Sequence, residues 1–152
     1  MRVDRASREI AATAESIYQA LTSREAVQTW LPPEGARGIV HEFEPRVGGA
    51  FRLSLVFDTP GETGARKSSS NTDVVDGEFL ELVPNQRVRQ RFMFNSENPD
   101  FAGAMVMTWT LMPATGGTHV TVAAENVPVG ISPQDHEVGM ASSLANLAGY
   151  VE

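Results

Sequence analysis

The chain carries three histidines, His41, His119 and His136, and no cysteine. Without thiols there are no disulfides, no thiolate-bound metals and no cysteine nucleophile. None of the histidines stands in HExxH or another metal-ligand spacing, and His41-Glu42 and His136-Glu137 are merely adjacent pairs. Adjacent residues of a strand point to opposite faces, so His41 and Glu42 cannot share a site. No metal is expected. His119 alternates with Val120 and should face solvent. His136 falls on the first turn of the last helix, near the mouth of any pocket beneath it. His41 shares the phase of Ile39 and Phe43, which directs it inward. Two roles stay open for it: a hydrogen-bonded histidine at the sheet rim, the commoner arrangement, or a polar anchor for a ligand. Gln90 would be its partner in the second role, since it shares the inward phase of Val88 and Phe92.

Nucleophile and phosphate motifs are weaker still. There is no GxSxG elbow. Ser142 and Ser143 lie mid-helix, where serine tends to pack or to bond back to the preceding turn. Residues 61–68 (GETGARKS) have the wrong glycine spacing for a phosphate loop, and no helix pattern follows. No catalytic residue and no cofactor are expected.

The elements that must position these side chains are legible. Residues 3–10 read as a strand polar enough for a sheet edge. Thr13 suits a helix N-cap, with Ile17, Ala20 and Leu21 on one face of the helix after it. Ser23 caps a second short helix carrying Val27 and Trp30 inward, and Pro32-Pro33 stops it. Alternation then marks strands around Ile39–Phe43 and Phe51–Phe57. Residues 58–71 are polar and read as a long mobile loop, dispensable for folding. Residues 72–83 form a strand of undetermined phase, with Gly77 as a possible bulge. Val88, Gln90, Phe92 and Phe94 line the next strand. A second polar loop spans 95–103. Met105, Met107, Trp109 and Leu111 follow on one face, then Gly116-Gly117 turns into Val120, Val122 and Ala124. Sequential strands joined by turns predict an antiparallel meander. Ser132-Pro133-Gln134-Asp135 opens a final helix with a serine cap, a proline and an acid. It should run to Val151, roughly 30 Å, with Met140, Leu144, Leu147 and Val151 in one stripe and Ala141 and Ala148 beside it.

The 152 residues suit one domain, 1–152, with a real core. Hydrophobic residues make up 41% and charged residues 20%, which argues against global disorder. The net charge of −7 disfavours nucleic-acid binding. Arg87, Arg89 and Arg91 alternate along one strand and read as a solvated face balanced by neighbouring acids. The first residues lack an apolar signal region, and no run approaches the ~20 apolar residues that span a bilayer. A cytoplasmic location is expected, without membrane insertion. Lys67 is the only lysine, a usage that fits a GC-rich bacterial genome.

The order of one strand, two short helices, six strands and a long C-terminal helix resembles the START-like (SRPBCC) superfamily. Within it, the chain resembles the activator of heat shock protein 90 ATPase homologue-like family. The similarity is carried by residues 10–21 (IAATAESIYQAL), 29–35 (TWLPPEG), 44–51 (EPRVGGAF), 77–84 (GEFLELVP), 108–111 (TWTL), 116–122 (GGTHVTV) and 143–151 (SLANLAGYV). Relatives often carry Gly-Trp where this chain has Gly139-Met140. The resemblance implies a helix-grip α+β fold, in which a curved antiparallel sheet wraps a C-terminal helix. Phe51, Phe57, Phe92, Phe94, Met105, Met107 and Trp109 would on periodicity alone be core. In a helix-grip fold part of that face encloses an apolar cavity.

Three functions follow from the resemblance. The first is a binding module for a small hydrophobic or amphipathic molecule. Its walls would be Trp30, Leu53, Phe92, Met107, Trp109, Met140, Leu144 and Leu147, with His41 and Gln90 orienting a polar group. The second is a co-chaperone or protein-interaction role using the surface. The third is a cyclase- or aromatase-like enzyme, which needs a titratable group in the cavity.

Overall fold

The computed structural model describes residues 2–32, 36–57, 72–94 and 98–152. The expected loop at 58–71 lies outside the described residues. Chain order is β1 (Val3–Ile10), α1 (Ala14–Leu21), α2 (Arg24–Trp30), β2 (Ala36–Phe43), β3 (Ala50–Phe57), β4 (Thr72–Val83), β5 (Arg87–Phe94), β6 (Met105–Ala114), β7 (Gly117–Glu125) and α3 (Pro133–Val151). The strands form a curved sheet in the order β1-β7-β6-β5-β4-β3-β2, antiparallel throughout. The polar first strand is indeed an edge.

Local signals fix the helix starts. Thr13 Oγ1 accepts from the Ser16 N–H, Ser23 Oγ from Ala26 and Ser132 Oγ from Asp135. Each satisfies a backbone donor that the first helical turn leaves without a partner. Ile17, Ala20 and Leu21 bury one face of α1, and Val27 and Trp30 that of α2. In α3, Met140, Leu144, Leu147 and Ala148 are buried, whereas Ala141 faces outward.

Two irregularities shape the sheet. On β2, Val40 pairs with Leu53 and Glu42 with Arg52, which leaves His41 as the extra residue of a bulge. Val40 is therefore buried, and Phe43 resumes the inward phase two residues after the bulge. The side chains of α2 stabilise the bulge: Gln28 accepts from the Val40 N–H at 3.0 Å, and Arg24 donates to the Val40 carbonyl at 2.6 Å. The second bulge is on β4 at Leu80, between Phe79 and Glu81, rather than at Gly77. Gly77 serves close packing instead. It lies between Phe51 on β3 and Phe92 on β5, and a Cβ there would sit 2.7 Å from the Phe92 ring. The two rings meet edge-on across it, with centroids 5.5 Å apart.

The expected loop before β6 contains a short 3₁₀ turn, Pro99–Phe101, whose Phe101 is buried. On the outer face Arg87 pairs with Glu81, Arg91 with Glu78 and Arg52 with Asp76. The arginine row is thus balanced by acids of the neighbouring strand. Among the described residues, no helix is long and apolar enough to cross a membrane.

Candidate functional site

Strand alternation aims one face of the curved sheet at α3. The two do not close completely. A cavity of about 240 Å³ remains between them, under the first half of α3. An apolar cavity of roughly 150 Å³ is enough to take up benzene.

The walls come from almost every element. Trp30 and Leu31 of α2 close one side, with Leu53 and Leu55 of β3 next to them. Phe92 and Phe94 of β5 and Met105, Met107 and Trp109 of β6 form the floor. His136, Gly139, Met140 and Ser143 of α3 form the roof. Trp30 is locked by its indole N–H, which donates to the Ala20 carbonyl at 2.9 Å, and by an edge-on contact with Trp109, centroids 5.6 Å apart. Ser143 bonds back to the Gly139 carbonyl. A Cβ on Gly139 would meet nothing within 4 Å, so no packing requires glycine there.

Seven of the ten residues expected at the site line the cavity: Trp30, Leu53, Gln90, Phe92, Met107, Trp109 and Met140. Leu144 and Leu147 are instead fully packed core, 1% and 0% exposed and off the cavity wall. His41 is not in the cavity. The β2 bulge turns it to the outer face, where its Nε2 lies 2.7 Å from Ser54 Oγ. This is the hydrogen-bonded rim histidine, so the proposed pairing with Gln90 does not form.

Gln90 is the notable polar group of the floor. Its side chain is buried, 5% exposed, and its amide has no hydrogen-bond partner among the described residues. A buried amide left unpaired costs about 1–3 kcal/mol.

The second polar group is one that periodicity placed near the mouth but could not connect. His136 Nδ1 lies 2.7 Å from Asp4 Oδ2, a contact spanning 132 positions of sequence. Asp4 is held in turn by Arg2, whose Nε and Nη2 donate to its two oxygens at 3.1 and 2.8 Å. Asp4 is 8% exposed and His136 13%. The Arg2 hydrogen bonds hold the Asp4 carboxyl below its usual range; burial opposes them and the His136 bond assists.

This sets a sign for acid stability. A carboxyl whose folded pKa is lowered stabilises the fold above the ordinary aspartate value of about 3.9. That contribution is lost as pH falls from there through the lowered value. Melting temperatures from neutral pH into this acid range should therefore fall less steeply for Asp4→Asn than for the unmutated protein. Parallel curves would show that the Arg2–Asp4–His136 chain adds nothing to stability.

Among the described residues, no group of three or more His, Asp or Glu could hold a metal ion. Among the described residues of the cavity wall, His136 is the titratable one, where the sequence points to His41 as the inward histidine.

An antiparallel sheet curved around a C-terminal helix defines a START-like domain of the helix-grip type. The chain belongs to the family of activator of Hsp90 ATPase homolog 1-like proteins, whose profile matches residues 11–152. Its fold is shared with a protein from Chromobacterium violaceum, 32% identical, with 99% of this chain and 96% of that one covered and a TM-score of 0.87. A protein from Rhodobacter sphaeroides is 23% identical, covers 97% and 89%, and has a TM-score of 0.76. The AHSA1-like protein from Aeromonas hydrophila, at 16% identity, covers 99% and 92% with a TM-score of 0.74. Among curated proteins no match is found.

Proposed function

We propose that this domain binds a small apolar or amphipathic molecule in the cavity between the sheet and α3. The observation that carries the reading is Gln90. It is a buried amide with no hydrogen-bond partner among the described residues, on the wall of an otherwise apolar space of about 240 Å³. Native proteins rarely leave buried polar groups unpaired, and a ligand that supplies the partner accounts for the exception. The apolar walls supply affinity by burial, at roughly 25 cal/mol per Å² of ligand surface removed from water. The amide supplies orientation.

Naphthalene is a suitable test ligand, being larger than benzene and wholly apolar. Labelled methionine methyls report where it goes. Met105, Met107 and Met140 stand on the wall, whereas Met112 is 58% exposed on the opposite face of β6. Their ¹³C-methyl signals should shift on adding naphthalene while that of Met112 stays. Met140→Trp, which fills the space under α3, should weaken binding by about tenfold or more and leave the protein folded. Unmoved wall methyls up to the solubility limit of naphthalene would end the cavity reading. If the wall methyls do shift, native mass spectrometry of the freshly purified protein would identify any natural occupant.

A further inference from the structure

We propose that Asp4 and His136 form a built hydrogen-bond acceptor on the wall of the cavity, and that the natural ligand carries an O–H or N–H donor on its apolar body. The proposal rests on the cavity reading and specifies the ligand's chemistry.

The argument begins with the carboxylate. Asp4 can only accept hydrogen bonds, and both its oxygens already accept from Arg2. At 2.7 Å from Asp4 Oδ2, His136 Nδ1 must therefore be the nitrogen that carries a proton. In the neutral ring the lone pair is then on Nε2. Nε2 has no partner among the described residues, and the ring lines the cavity. The bonds Arg2–Asp4–His136 join β1 to α3, so the ring is oriented by the fold rather than by its own helix. Among the described residues no other group engages that nitrogen. The floor contributes the second polar group, Gln90, whose amide both donates and accepts. A ligand of suitable length engages the two together. His136 is the more selective of the two, because a bare acceptor rewards a donor and repels another lone pair.

Three ligands of nearly equal shape separate donor from acceptor recognition: 2-naphthol offers an O–H, 2-methylnaphthalene offers neither, and quinoline offers only a lone pair. Affinities measured at pH 8 are compared as ratios within each protein, which cancels differences in hydration. His136→Phe should lower the preference for 2-naphthol over 2-methylnaphthalene by about tenfold, as expected for losing a buried hydrogen-bond partner. Asp4→Asn should do the same by another route. Arg2 retains the amide oxygen, the amide nitrogen donates to Nδ1, and the ring is forced into the tautomer with its proton on Nε2. That variant should gain preference for quinoline over 2-methylnaphthalene, which His136→Phe should not. In the unmutated protein the ¹⁵N signal of His136 Nε2 should move with 2-naphthol and stay with 2-methylnaphthalene, a reading that needs no variant to fold. Should the three bicyclic ligands bind and these ratios and the Nε2 signal remain unchanged, the acceptor is disproved while the cavity stands. A preference for 2-naphthol that survives His136→Phe makes the Gln90 amide oxygen the acceptor and also overturns the proposal. If no arene binds the unmutated protein, the cavity reading falls and takes this one with it.

Discussion

Leu144→Ala is expected to lower the free energy of unfolding by about 2–5 kcal/mol, and Met140→Ala by distinctly less. Burial alone does not separate the two residues, which are 1% and 3% exposed. Their surroundings do. Leu144 is enclosed by core, so its truncation leaves a new void whose lining loses its contacts. Met140 borders a space that is already there, so its truncation is expected to forfeit fewer packing contacts. Met140→Trp completes the comparison. In a filled core the larger ring would overpack at a cost of ~1–3 kcal/mol; beside a cavity it should be tolerated. Urea unfolding of the three variants, with unchanged m-values, measures all of this. Equal losses for Leu144→Ala and Met140→Ala, with strong destabilisation by Met140→Trp, would mean that no usable cavity lies beneath Met140.

Gln90→Met should stabilise the ligand-free domain, by about 1–3 kcal/mol, the usual penalty for a buried polar group without a partner. Methionine has nearly the shape of glutamine and can adapt to the same space. The neighbours on its inward face, Val88 and Phe92 along the strand and Met107 across it, are all apolar. The same substitution should weaken any ligand that hydrogen-bonds to the floor, leaving a purely apolar one such as naphthalene unaffected or improved. Stability gained at the expense of recognition is the pattern expected of a functional residue held against the preference of its surroundings. A chemical-denaturation curve shifted to lower denaturant would place the amide in a structural role and remove the main support for a polar-headed ligand.

Much of the fold was written locally. The caps at Thr13, Ser23 and Ser132 act within three residues of themselves, so their effect is legible without knowing the fold. The alternation of β5, β6 and β7 is equally local, because successive side chains of a strand point to opposite faces and one face is buried. Gln90, Met107 and Trp109 were placed on the inward face by that rule, and the family resemblance supplied the cavity on that face. The final helix was legible from its cap to its last turn. Its stripe was read correctly for Met140, Leu144 and Leu147, while Ala141 turned outward.

Tertiary structure decided the rest, and in each case the reason is a partner distant in sequence. His41 left the inward face because a bulge, stabilised by Arg24 and Gln28 of α2, adds one residue to β2 and reverses the parity on which its placement depended. A period of two carries no information about such an insertion. Leu144 and Leu147 share a stripe with Met140, yet only the first half of α3 spans open space; helical periodicity tells which side is buried and not what lies against it. The Asp4–His136 contact joins residues 132 positions apart on a strand edge and a helix start. The sequence by itself determined the elements, the inward residues of most strands and the helix that closes the sheet, since these follow from short-range hydrogen bonding and periodic burial. Where the packing stops short and which polar groups face the space depend on how far the sheet curves and where α3 docks. Those are properties of the assembled layers, encoded in no single segment.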